Sequence, residues 1–119
     1  MKKKMMCCMV VAMMAMAIPT NVGATDKAVD PSEYVIGYSQ LANTGTYRIA
    51  ETNSMKDEAE KRGFQLIVTD AQDNTAKQVS DVEDLIAQDI DLLILSPREF
   101  EGLETALQTA KEHEIPVIL

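Results

Sequence analysis

The sequence contains no tryptophan, one histidine and two cysteines, and it is short of positive charge. Each shortage removes a class of function. Both cysteines, Cys7 and Cys8, lie in the first 24 residues. Residues 25–119 therefore offer no disulfide, no thiolate nucleophile and no thiolate metal site. His113 stands between Glu112 and Glu114 with no nearby partner to share a metal, so it reads as a solvated helix end. Lys+Arg number 11 against 19 Asp+Glu, a formal net charge of −8. Three of the basic residues are Lys2, Lys3 and Lys4, which leaves 8 basic against 19 acidic side chains from Thr25 onward. A body this acidic has no electrostatic footprint for nucleic acid and is repelled by anionic membrane surfaces. P-loop, GxGxxG, HExxH and GxSxG patterns are all missing. No enzymatic activity, no cofactor and no metal are expected.

Apolar residues are concentrated at the start. Lys2–Lys4 forms a basic n-region, residues 5–18 run apolar, and Val22-Gly23-Ala24 supplies small residues before Thr25. Fourteen apolar residues fall short of the ~20 needed to span a bilayer, so no stable membrane anchor is expected. Cys7 and Cys8 sit inside the run rather than at its end, which argues against a lipid anchor. Residues 1–24 are read as a cleaved signal peptide, with a secreted or periplasmic product. Residues 25–33, polar and containing Pro31, are a lead-in.

The remainder alternates strand and helix patterns. Residues 34–38 (YVIGY) form a short β-branched and aromatic run. Residues 46–62 are free of Gly and Pro and end at Gly63, a helix stop signal. Along this helix Lys56 with Glu60, and Asp57 with Lys61, have the spacing of surface ion pairs. Residues 64–69 (FQLIVT) are a second strand, and 75–88 a second helix with Ala76, Val79, Val82 and Ile86 as its apolar face. Residues 91–95 are a third strand. Ser96-Pro97-Arg98-Glu99 has the pattern of a capping box, predicting a third helix from that point with Leu103, Ala106, Leu107 and Ala110 inward. Residues 115–119 are a fourth strand.

Strand starts recur about every 25–30 residues, the length of one βα unit. Continuous apolar strands imply burial on both faces. The expected fold is α/β, a parallel, doubly wound sheet of flavodoxin- or Rossmann-like βαβ units. Ligands in such sheets bind outside the carboxyl ends of the strands, which places the loops beginning at Ser39, Asp70 and Ser96 at the functional edge. The last apolar strand has no helix after it in this sequence, so the expectation is the N-terminal piece of a longer protein.

Of those loops, Ser39–Arg48 (SQLANTGTYR) is the richest. Ser39, Gln40, Asn43, Thr44, Thr46, Tyr47 and Arg48 supply hydroxyl, amide, aromatic and guanidinium groups, with Gly45 between them. These are the types that hold a neutral polyol: amide and guanidinium for hydroxyls, an aromatic face for the C–H side of a ring. The residues equally allow a polar loop capped at Thr44 or Thr46 with Tyr47 in the core. Asp70 and Asp73 also follow a strand, as a phosphoreceiver's acceptor would, but Ser39-Gln40 stands where that site needs acids.

From Tyr34 to Leu119 the chain resembles the periplasmic sugar-binding proteins of ABC transporters, of the ribose/galactose type. The matching stretches are VIGYSQ, Ala50–Gly63, Asp70-Ala71-Gln72, Asp81–Pro97 and Ala110–Leu119. Tyr47-Arg48 followed by Ala50-Glu51-Thr52-Asn53 resembles the galactofuranose-binding branch in particular. The resemblance implies a type I periplasmic binding protein with two lobes closing over a sugar. Residues 34–119 would be most of the first lobe, truncated after the fourth strand. In such proteins an Asp-Arg pair follows that strand, beyond Leu119. The resemblance further implies that Thr44, Gly45, Thr46, Tyr47 and Arg48 face the sugar, with Thr44 where a carboxylate is expected. Ser39, Gln40 and Asn43 are further candidates. The partners implied are a pentose or hexose and a transporter permease. Other readings of the same fold are the ligand-sensing input domain of a chemotaxis or two-component system, and a non-functional fragment.

Overall fold

A computed structural model describes residues 30–119. The expected signal peptide lies outside the described residues. Asp30 caps a short 3₁₀ turn, Pro31–Glu33, its carboxylate accepting from the Ser32 amide at 3.0 Å. The elements that follow are β1 (Val35–Gln40), α1 (Gly45–Arg62), β2 (Gln65–Asp70), α2 (Thr75–Ile86), β3 (Leu92–Ser96), α3 (Glu104–Glu112) and β4 (Val117–Ile118).

All strand pairs are parallel, in the order β2-β1-β3-β4. The expected α/β class and parallel sheet are therefore present. The chain moves from β1 to one side, then crosses to the other for β3 and β4. The carboxyl ends of β1 and β3 thus flank a topological switch point, the crevice where open α/β sheets take ligands.

Register assigns the two faces. Gly37 pairs with Ile67 and Leu93, and Ser39 with Thr69 and Leu95; these positions share a face. Leu93 and Leu95 join Val82, Leu85, Ile86, Ile90, Leu103, Ala106 and Ala110 in one buried cluster under α2 and α3. Each fully buried leucine contributes about 1.5–3 kcal/mol. The opposite face carries Ile36, Tyr38 and Gln40 of β1, with Leu92, Ile94 and Ser96 of β3. There α1 packs along β2, ending at Gly63, whose amide donates to the Ala59 carbonyl at 2.8 Å. Leu92 and Ile94 are only half-buried, so β3 is buried on one face, not on both as its apolar run implied.

Other expectations are corrected by particular contacts. The third helix starts at Glu104, not at Ser96. The capping box does not form because Ser96 is still in β3 opposite Gln40 and its hydroxyl accepts from Arg48 Nη1 at 2.8 Å, while the following Arg98 amide donates to the buried Gln78 side chain. Gly102 then turns the chain at φ +87°, a left-handed conformation suited to glycine, and its amide takes the Glu104 carboxylate at 2.8 Å. On α2, Ala76 is exposed and the buried stripe is Gln78, Val82, Leu85 and Ile86. On α1, Glu58 takes both Lys61 (3.6 Å) and Arg62, in place of the expected Lys56–Glu60 and Asp57–Lys61 pairs.

Candidate functional site

The carboxyl ends of β1 and β3 meet in register, Gln40 opposite Ser96. The β1–α1 loop rises from this edge and turns into α1 at Gly45 (φ +77°). Thr44 occupies the N-cap position without a side-chain capping bond. Three residues into the helix, Arg48 points back over the strand ends. Its Nη1 donates to Ser96 Oγ at 2.8 Å, Glu51 Oε2 at 3.1 Å and Gln40 Oε1 at 3.4 Å. Every side-chain hydrogen bond that Arg48 makes to the described residues runs through this one nitrogen.

Behind the guanidinium is a polar knot. Glu51 Oε2 also accepts from Gln40 Nε2 at 3.0 Å. Gln40 Nε2 donates in addition to the Tyr38 hydroxyl, and the amide of Leu41 to Gln40 Oε1 at 3.1 Å. Tyr38 and Gln40 are buried, whereas Arg48 and Glu51 are half-buried. Burial raises the Tyr38 phenol to about 12, helped by the Glu51 charge. Burial also works to raise the Glu51 carboxyl, but hydrogen bonds from Gln40 and Arg48, the Arg48 charge and the Tyr38 hydroxyl outweigh it and lower its pKa. Glu51 is thus a carboxylate at neutral pH.

Tyr47 lies outside the knot, 73% exposed, with the Arg48 guanidinium carbon 5.5 Å from its ring centroid. It is not a core residue. Asn43, Thr44, Gly45 and Thr46 are exposed along the same loop. Ser39 and Gln40 are fully buried and face partners within the chain, Gln78 and the Glu51–Arg48 pair. They support the rim from behind.

A second support lies on the other face. Gln78, fully buried, donates to the Ser96 carbonyl (2.9 Å) and the Ser39 hydroxyl (3.4 Å), and accepts from the Arg98 amide (3.0 Å). It joins the ends of β1 and β3 to the loop beyond. Arg98 pairs with Asp73 at 2.9 Å and with Glu99. Asp70 Oδ1 accepts the amides of Asn43 (3.2 Å) and Gln72 (2.9 Å), fixing the β1–α1 loop to the β2 end. The loop from Ser96, with Arg98, was expected at this edge, but Glu51 and Gln78 were not, and neither was the contact of Ser96 with Arg48. The Arg48–Glu51 spacing of three signals a shared helix face, while Ser96 and Gln40 become neighbours only once the strand order is known.

An apolar hollow of about 420 Å³, lined by Pro31, Tyr34, Ile36, Arg62 and Phe64, lies at the opposite, amino ends of the strands. It has one charged group and no convergent polar set, so the rim at Arg48 is the candidate site. Among the described residues no group of three or more His, Cys, Asp and Glu side chains is placed to hold a metal, and no helix is long and apolar enough to cross a membrane.

Comparison with known proteins agrees with this architecture. A family model described as "Periplasmic binding protein domain" matches residues 36–119. The ribose import binding protein of Bacillus subtilis (strain 168) is 34% identical over 102 residues, covering 86% of this chain and 32% of that protein. The galactofuranose-binding protein of Escherichia coli (strain K12) is 40% identical over 84 residues, covering 71% of this chain and 26% of that protein. A crystal structure of a galactofuranose-binding protein superposes with a TM-score of 0.68 at 39% identity, over 71% of this chain and 28% of that one. The chain spans about a third or less of the length of these proteins.

Proposed function

We propose that this chain, which belongs to the periplasmic binding protein domain family, contains one wall of a sugar-binding cleft in an exported protein that delivers its ligand to an ABC importer. Residues 34–119 form the first lobe, 25–33 lead into it and 1–24 direct export. The observation that carries the reading is Arg48, tied through one nitrogen to the ends of β1 and β3 at the switch point, with the exposed ring of Tyr47 beside it.

The action is capture and release, with no bond made or broken. Arg48 Nη2 and Nε donate to ring hydroxyls, and Tyr47 covers the C–H side of a pentose or hexose ring. Asn43, Thr44, the Gly45 backbone and Thr46 line the loop's outer edge, and buried Ser39 and Gln40 hold it in place. One wall buries too little of a ligand for tight binding, because ligand sites bury most of the ligand's surface. The second lobe supplies the facing wall, and the closed form is the one a transporter permease receives. The relatives named for ribose and galactofuranose make furanose and pyranose sugars the ligand class to examine.

The test is a thermal-shift panel of ribose, arabinose, galactose, glucose and fructose on the complete protein. One or more sugars should raise the melting temperature, since a ligand at 100 times its Kd stabilises by about 2.7 kcal/mol. Arg48→Ala should abolish the shift. A flat panel, or shifts that survive Arg48→Ala, overturns the reading.

A further inference from the structure

The arrangement around Arg48 carries one more inference, which rests on the proposed sugar site: we propose that Glu51 is a specificity-determining residue that confines the site to uncharged sugars and excludes uronates and sugar phosphates. Glu51 Oε2 stands 3.1 Å from Arg48 Nη1 and 3.0 Å from Gln40 Nε2, at a half-buried position directly behind the rim. The charge of Arg48 is therefore met within the protein before any ligand arrives. An arginine left unpaired in a cleft is a ready receptor for a carboxylate or phosphate. One already paired keeps its donors for hydroxyls but no longer supplies a free positive charge.

The rest of the edge points the same way. Asp70 stands in register with Gln40 at the end of β2, and its carboxylate is committed to two backbone amides. Arg98 is matched by Asp73 and by Glu99. Four carboxylates, Glu51, Asp70, Asp73 and Glu99, thus accompany two guanidinium groups, Arg48 and Arg98, along these strand ends. An anionic ligand docking on Arg48 would sit within a few ångströms of the Glu51 carboxylate. Such like-charge placement rejects the wrong ligand while leaving the neutral one unaffected.

The substitution Glu51→Gln isolates this charge, because glutamine keeps an oxygen for Arg48 at the same length. The measurement is titration calorimetry on the complete protein with paired probes, galactose against galacturonate and glucose against glucuronate. The wild-type protein is expected to prefer the uncharged member of the pair it binds by more than tenfold. Glu51→Gln should reduce that preference at least tenfold, and Glu51→Asp, which retains the charge, should restore it. Wild-type protein that binds uronate and neutral sugar alike overturns the proposal without any variant. A preference unchanged in Glu51→Gln overturns it while leaving the sugar site intact. Failure of every sugar to bind wild-type protein overturns the site itself and this inference with it.

Discussion

Arg48 and Ser96, 48 positions apart in the sequence, are joined by a 2.8 Å hydrogen bond from the guanidinium to the hydroxyl. The first turn of α1 is thereby fixed to the end of β3, across the crevice where the strand order reverses. A long, flexible side chain is held in one orientation, so a sugar docking on it in the proposed way would lose less entropy on binding. Ser96→Ala removes this tether while leaving Glu51 and Gln40 in place. Hydrogen bonds to charged groups are worth about 1.5–3 kcal/mol, and part of that reaches the ligand. The expected result is a threefold to tenfold loss of sugar affinity, read by calorimetry on the complete protein, with no change in which sugar is preferred.

Tyr47 is expected to separate binding from folding. At 73% exposure its removal should move stability by less than about 0.5 kcal/mol. An aromatic face against a ring is worth about 0.5–1.5 kcal/mol, so Tyr47→Ala should weaken sugar binding about twofold to tenfold. Tyr47→Phe should bind nearly as the parent does. Urea melts and calorimetry on the same samples make the comparison.

Gln78 should behave in the opposite way. Gln78→Leu keeps the bulk of a buried side chain and removes contacts to the Ser96 carbonyl, the Ser39 hydroxyl and the Arg98 amide. Leaving a buried polar partner unmet costs about 1–3 kcal/mol. The urea midpoint should fall accordingly, and sugar affinity should fall too because the β1 and β3 ends lose their cross-link.

Gly37 leaves no room for a side chain. A Cβ there would stand 2.8 Å from Ile90 Cδ1 and 3.2 Å from Leu85 Cδ1, both in the buried cluster under α2. Overpacking of this kind costs about 1–3 kcal/mol. Gly37→Ala should fall at the lower end, since the Ile90 methyl is terminal, and Gly37→Val at the upper end, as read from denaturant melts.

The polar knot gives stability two pH limits. Glu51 is more acidic folded than unfolded, so its contribution is present above its unfolded pKa and is lost as pH falls through the lower folded value. Tyr38 is raised from 10.0 to about 12, so its contribution is present below pH 10 and is lost as pH climbs towards 12. Urea midpoints measured across pH should show both limbs in the parent protein. Glu51→Gln should lessen the acid limb and Tyr38→Phe the alkaline one.

Much of this fold was legible from residue order. The β-branched runs, the helix ending at Gly63 and the even spacing of strands led to a parallel α/β sheet, and Arg48 and Tyr47 stood out in the first loop. Four features were hidden for physical reasons. The start of α3 differs because Ser96-Pro97-Arg98-Glu99 has the right local chemistry for a cap, but the sheet holds Ser96 in β3 and the tertiary contact from Arg48 takes its hydroxyl. Gln78 itself reads as a surface residue by type. Only its spacing of four from Val82 and seven from Leu85 puts it on the buried stripe. The meeting of Gln40 with Ser96 depends on β3 crossing to the far side of β1, which no local pattern encodes. The half-open face above Leu92 and Ile94 escaped for a related reason: an apolar run does not say whether one or two layers cover it.

Everything proposed above depends on Arg48 and Tyr47 forming the sugar-holding edge at the switch point. A crystal structure of the complete protein with its bound sugar tests this most directly. Ring hydroxyls are expected within about 3 Å of Arg48 Nη2 or Nε, with the Tyr47 ring against the C–H face and Nη1 still on Ser96. A sugar held elsewhere on the lobe, with Arg48 and Tyr47 out of contact, would contradict it.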